Sequence, residues 1–360
     1  MMETAGEACP TGAGAIPALD PRQLVRELAQ YRDPSLARSL WELGITLVPF
    51  LAITAIMLVA VERGYWLALL LSVPAAGLLL RLFLIQHDCG HGAFFRRRAA
   101  NDWVGRCLGV LTLTPYACWQ RSHALHHAGT GNLDARGFGD VDTLTVREFQ
   151  SRSRFGRMVY RVYRHPLVLF GIGPAYLFLL RHRLPIGLMA GGRKYWISAL
   201  GTNLATAIML ALLMAWVGVG TVLLVQLPVT LMAGSLGVWL FYVQHQFEDG
   251  YWEQDRTWSF HEAALLGSSH LELPGVLRWF TANIGLHHVH HLASRIPYYR
   301  LSEVIGDRPD LVSVNRLTIN DTFRTFRLAL WDEDQKRMVT IASAREASAR
   351  TRTGPASAPA

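Results

Sequence analysis

Charge is scarce in this sequence. Only 17% of its 360 residues are Asp, Glu, Lys or Arg, against about 25% in an ordinary soluble domain. From Tyr195 to Phe247 there are 53 consecutive residues without any of them. With 51% hydrophobic residues and a mean hydropathy of +0.20, the composition argues against a typical soluble enzyme and for a membrane protein. Cysteine is scarce too. Cys9, Cys89, Cys107 and Cys118 form no C-x-x-C pair, so neither a disulfide framework nor a cysteine zinc site is expected, and free thiols fit a reduced compartment. The N-terminus has no apolar core of the kind a cleaved signal peptide carries. No Glu-x-x-His occurs, which removes the carboxylate-rich metal bundles from consideration. A basic helix, a zinc finger and an RNA-binding signature are all missing. The net charge of +8 is therefore read as a positive cytoplasmic face and not as a nucleic-acid site.

What the chain has instead is long apolar runs in pairs. Leu43 to Val61 is 19 residues without charge, and Gly64 to Leu80 another 17, extended past Arg81 by Leu82 to Gln86. Each suits a hydrocarbon core of about 30 Å, crossed by about 20 helical residues. Glu62-Arg63 leaves room only for a tight turn. The long uncharged stretch reads as a second hairpin turning near Gly218-Val219-Gly220. The expected spans are 43–61, 65–86, 197–217 and 221–243, within a membrane domain at 41–332. Residues 1–40 are expected to hold a disordered tail, then short amphipathic helices over 21–40 opened by Asp20 as cap and Pro21 at the first turn. A C-terminal tail, largely disordered, is expected over 333–360.

Between the hairpins, residues 88–194 carry sixteen Lys/Arg and six Asp/Glu. The apolar stretches 103–119 and 166–180, interrupted by Pro115 and Pro174, read as interfacial or re-entrant segments. Four spans in two hairpins put both termini and the basic segment on one face, which the positive-inside rule makes cytoplasmic.

Histidine is grouped. His87 and His91 stand four apart. His123, His126 and His127 stand at i, i+3 and i+4, and His287, His290 and His291 repeat that pattern. On a helix each group shares one face. Eight imidazoles are more than one four-coordinate metal needs, so two metals are the economical count, and imidazole suits iron, copper, nickel and zinc alike. His288 sits about 100° round from His287 and is left out. His165, His182, His261 and His270 have no partner at ligand spacing and read as surface or packing residues. His87 and His245 each emerge from the end of a span, the second and the fourth, on the face that holds the groups.

These residues resemble the integral-membrane fatty-acid desaturases. H-D-C-G-H-G-A-F-F at 87–95, H-A-L-H-H-A-G-T-G-N-L-D at 123–134 and T-A-N-I-G-L-H-H-V-H-H-L at 281–292 look like the three histidine boxes of that family. G-D-V-D-T-L-T-V at 139–146, Q-H-Q-F-E-D at 244–249 and R-I-P-Y-Y-R-L at 295–301 look like its bacterial members, over roughly residues 40–310. The resemblance implies an all-α integral membrane fold, with four transmembrane helices in two hairpins and a cytoplasmic helical cap holding a di-iron histidine site. It implies iron ligands at His87, His91, His123, His126, His127, His287, His290 and His291, with His245 as a ninth. The H-x-x-x-H first box is similar to the acyl-lipid Δ12/ω6 type and its bacterial Δ5 relatives. Where some relatives have a water-bridged Asn ligand this chain has Phe241, which is not carried over, and Asn283, four before His287, is the substitute considered.

Removing hydrogen from an unactivated methylene needs an oxidant that no side chain supplies, so metal must carry that step. The expected function is O2-dependent desaturation of a lipid acyl chain in the bacterial inner membrane. With no haem or flavin fingerprint present, electrons would come from an external carrier, and a ferredoxin suits the basic face. Asp88, Asp140, Asp142, Glu248 and Asp249 are candidate acceptors for the outer ring nitrogens, against the plainer expectation of a solvated face for each. Trp103, Trp119, Tyr251, Trp252 and Trp258 are expected mainly at the membrane interface, with an acyl tunnel as the other possibility. Two alternatives stay open. A hydroxylase, conjugase or ketolase would share the fold. A metal transporter would want its site near mid-membrane.

Overall fold

The structure is a computed structural model and describes residues 20–137 and 139–344. Most of both expected tails lies outside the described residues.

Four helices are long and apolar enough to cross a membrane: Leu36–Glu62, Trp66–His91, Arg193–Val217 and Val219–His245. Three of the four expected spans fall inside them, and the second, 65–86, starts one residue before its helix. The helices overrun the apolar cores because hydrogen bonding continues through polar residues that face the protein or the headgroups. The first begins at Leu36, capped by the Ser35 side chain on the N–H of Arg38, so residues 36–40 belong to a span and not to a surface helix. Only Pro21–Glu27 and Leu28–Tyr31 form the amphipathic lead-in. Asp20 caps it as expected, its carboxylate accepting from the N–H of Arg22 at 2.9 Å.

The second hairpin turns on Gly218 alone, at φ 83°. A side chain there would be strained. The second span is the centre of the bundle, with 56% of its most apolar window buried, while the third has only 11% and stands at the lipid edge.

The segment expected to be interfacial over 103–119 is a helical hairpin. Arg98–Leu111 and Tyr116–Gly129 run either side of a turn at 112–115. Gln86, one residue before His87, clamps that turn: it accepts from Thr112 Oγ1 at 2.6 Å and donates to the Thr114 carbonyl at 3.2 Å. Residues 166–183 are helical throughout, with two wide π-type turns at Val168–Ile172 and Tyr176–Leu180. This helix packs on the fourth span through Pro174 and Phe178, which face Gly234.

The cap departs from all-helical in three places. Leu328–Asp332 pairs antiparallel with Arg337–Thr340 and parallel with Leu144–Thr145, and His270–Leu271 pairs parallel with Arg316–Leu317. The ordered chain thus continues past 332, because Leu330, Trp331 and Met338 have apolar partners on the cap to bury against. Pro274 precedes the helix Gly275–Phe280, and that helix does not carry the third histidine group. The chain turns at Thr281–Leu286, and His287–Leu292 is a separate six-residue helix, every residue of it buried.

Candidate metal centre

Three ties bring the histidine groups together. Gln86 holds the hairpin whose second helix carries His123, His126 and His127. Gln244 Nε2, on the fourth span, donates to the Ile284 carbonyl at 2.9 Å and fixes the approach to His287. Asp88 Oδ2 accepts from the Tyr298 N–H at 2.7 Å, joining the second span to the segment after His291. Gly90 is needed for a fourth contact: a Cβ there would lie 2.6 Å from the Trp119 ring, and Trp119 stacks on His123 with centroids 4.6 Å apart.

All nine candidate histidines converge, in two groups. His87, His91, His123, His127 and His290 form one. His126, His245, His287 and His291 form the other. Within each group the ring nitrogens lie within 4.8 Å of one another, an arrangement that can hold a metal ion. The groups differ in access. His91, His123 and His127 are half-buried, whereas every member of the four-histidine group is buried.

The ring nitrogens are sorted. In the first group Nε2 atoms face each other at 3.0 Å (His91 and His123), 3.1 Å (His123 and His127) and 3.2 Å (His127 and His290). In the second the separations are 3.1 Å (His126 and His245), 2.9 Å (His245 and His287) and 3.1 Å (His287 and His291). Several Nδ1 atoms point outward to acceptors: His87 to Asp88 at 3.2 Å, His126 to Asp140, and His245 to the Gly267 carbonyl at 3.3 Å. Those acceptors assign the proton to Nδ1 and leave the Nε2 lone pair facing inward. Between His126 and His245 this sets lone pair against lone pair, which repel, and a cation between them removes the repulsion. Burial, reinforced by the neighbouring imidazoles, holds His123, His127, His287, His290 and His291 well below the ordinary imidazole pKa. They are neutral, the form in which imidazole binds metal.

Of the candidate acceptors, Asp88 and Asp140 reach histidines. Asp142 is exposed and Glu248 pairs with Arg337, while Asp249 touches no ring. The Gly267 carbonyl is a further acceptor, one that sequence reasoning missed. His288 turns away, its Nε2 on the Leu311 carbonyl at 3.0 Å. Asn283 donates to the Tyr298 carbonyl instead of facing the site. Phe241 stands beside both His126 and His245, with ring centroids 4.9 and 5.0 Å away.

A cavity of about 250 Å³ opens below the histidines. His87, His123, His126 and His287 form one end of it. Leu79, Leu80, Phe83 and Leu84 of the second span, Phe178 of the π-turned helix, and the fourth span from Thr230 to Gln244 form its walls. Arg181 and His182 also line it, so His182 is neither a surface residue nor simple packing. Trp119 is a wall of this cavity, Trp252 is buried, and Trp258 donates to the Thr130 carbonyl at 3.0 Å. Of the five aromatics expected mainly at the interface, Trp103 is the most exposed, at 65%.

Comparison with known proteins fits this geometry. The family profile described as fatty acid desaturase matches residues 64–310. A fatty acid desaturase of Bacillus subtilis (strain 168) is 42% identical over 320 residues, 89% of this chain and 90% of that protein. The sn-1 acyl-lipid omega-3 desaturase (ferredoxin) of Synechocystis is 26% identical over 260 residues, 69% of this chain and 70% of the relative. The sn-1 oleoyl-lipid 12-desaturase of the same organism is 28% identical over 230 residues, 61% of this chain and 62% of the relative.

Proposed function

The chain belongs to the fatty acid desaturase family, and from that membership we propose that it introduces a cis double bond into a membrane-lipid acyl chain, with O2 as co-substrate and two irons bound by the nine histidines. The observation that carries this reading is the continuity of an apolar cavity with both histidine groups. A hydrocarbon chain has no polar handle, so it can be held only by shape and by exclusion of water. Leu80, Leu84, Phe83 and Phe241 supply that environment.

Two irons held by His87, His91, His123, His127 and His290 and by His126, His245, His287 and His291 would supply the oxidising power to remove hydrogen from a methylene. The protein's own part is positional. Asp88, Asp140 and the Gly267 carbonyl fix the ring tautomers and orientations. The cavity wall holds the chain against the Nε2 face of His87, His126 and His287 and keeps bulk water from it.

The regiochemistry we propose is Δ12/ω6 or Δ5, on the form of the first box and the similarity to an oleoyl-lipid 12-desaturase. Electrons would come from a ferredoxin-like carrier, as the name of the Synechocystis omega-3 relative indicates for that protein. The basic segment at 88–194 supports an orientation with both termini and the histidine groups in the cytoplasm, in the inner membrane of a bacterium.

The test is gas chromatography–mass spectrometry of total lipids from a heterologous host carrying the chain and a ferredoxin, beside His290→Ala. A new unsaturated chain in the wild type alone is the expected result, and its derivatives give the bond position. An oxygenated product would move the reading to a hydroxylase or ketolase on the same fold.

A further inference from the structure

The cavity follows one face of the fourth span. Thr230, Gly234, Gly237, Phe241 and Gln244 line it, and steps of three or four residues keep them on one side of the helix. From Gln244 to Thr230 this stripe covers about 21 Å at 1.5 Å per residue. An extended hydrocarbon built from C–C bonds of about 1.5 Å advances by about 1.25 Å per carbon, so the stripe matches a segment of about seventeen carbons. Gln244 adjoins His245, so the count runs from the histidines into the membrane.

Two glycines on this stripe are not equivalent. At Gly234 an added Cβ would lie 2.9 Å from the Phe178 ring; Phe178 already fills the space there and forms the wall. At Gly237, among the described residues outside its own helix turn, an added Cβ would meet only Leu80 Cδ1, at an ordinary 3.6 Å, and Leu80 comes from the opposite wall. Glycine in a span often lets another backbone approach, but no other element's backbone lies within that distance here. Mid-helix glycine costs about 1 kcal/mol relative to alanine, and packing gives no return for it at this position. What the missing side chain leaves is cavity width between Gly237 and Leu80.

We propose that Gly237 is a specificity-determining position: its missing side chain keeps the cavity passable at a point about 12 Å from His245, so that carbons beyond that point can still be housed. At about 1.25 Å per carbon this is about ten carbons. The inference rests on the desaturase reading and adds the chain segment that the enzyme measures, the methyl-side one.

The test uses full-length protein in nanodiscs, loaded with iron, supplied with O2 and a reduced ferredoxin, and given lipids bearing a ladder of saturated chain lengths. Wild type, Gly237→Ala and Gly237→Leu are compared for product at each length and for thermal stabilisation by each lipid, which needs no turnover. Gly237→Leu should lower product from the longest accepted chains at least tenfold relative to the shortest, and should abolish the extra stabilisation the longest chains give. Gly237→Ala should fall between, and covers the case in which leucine prevents folding. Iron content should not change. A uniform loss at all lengths, or an unchanged length profile, overturns the proposal. Wild type that shows length-dependent stabilisation but no unsaturated product would sink the desaturase reading while leaving the cavity assignment to stand or fall on the variants.

Discussion

Asp140 accepts the Nδ1 proton of His126 at the edge of the buried four-histidine group. Its side chain is 14% exposed while the ring is 1% exposed, so the carboxylate fixes the ring from the rim. Asp140→Ala should lower iron affinity by roughly 10–100-fold, with the helix Tyr116–Gly129 still folded. Iron retained per chain across a chelator series checks this; an unchanged retention curve would detach Asp140 from the site.

His290→Ala and His126→Ala remove one nitrogen from different groups. Each should reduce bound iron from about two toward about one per chain and abolish product, without preventing membrane insertion. Elemental analysis of purified protein, with membrane fractionation beside it, reads both. Full activity in either variant would refute its place as a ligand.

Glu42 and Arg81 form a buried ion pair, at 2% exposure each, that also engages the Tyr298 hydroxyl and the Trp279 carbonyl. Glu42→Ala should destabilise the protein by roughly 3–5 kcal/mol, because the guanidinium is left buried without its counter-charge. Glu42→Leu combined with Arg81→Met should recover much of that loss. Thermal unfolding in detergent distinguishes the single variant from the double.

Gln86 is fully buried and holds both Thr112 and the Thr114 carbonyl. Gln86→Leu should cost about 1–3 kcal/mol through the unsatisfied groups it leaves. It should also loosen the hairpin that carries the second histidine group, lowering the melting temperature and the iron occupancy together. A drop in stability with occupancy intact would show that the clamp has no bearing on the site.

Arg63→Cys, in the link between the first two spans, and Asp334→Cys, in the cap hairpin, report orientation. In intact spheroplasts a membrane-impermeant thiol reagent should label the first and not the second. Labelling of the second in intact cells would invert the proposed topology.

The spans and the histidine groups were legible because both rest on simple periodicities. A charge-free run of about 20 residues has few soluble uses, and imidazoles at i, i+3 and i+4 have few packing uses. His245 was harder: it stands alone in sequence, and only its position at the end of a span and the family resemblance marked it. The cavity was not legible. Phe178, Leu80 and Gly237 look like any apolar membrane residues until the π-turned helix brings the first against the fourth span. The Gly267 carbonyl belongs to the backbone and has no sequence signature. The short strands went unseen because two-residue pairings such as His270–Leu271 with Arg316–Leu317 leave no alternating pattern, and Met338 lies within the stretch expected as tail.

The unequal burial of the two histidine groups implies a fixed order of loading. The five-histidine group has three half-buried members, while all four members of the other are buried and meet the cavity through His126 and His287. An ion exchanging at the first passes half-buried rings; one exchanging at the second crosses the apolar cavity or waits for the cap to open locally, an event rarer by the free energy of that opening. Iron starvation would then yield half-loaded molecules, folded and inserted but inactive, that regain activity on resupply without new synthesis.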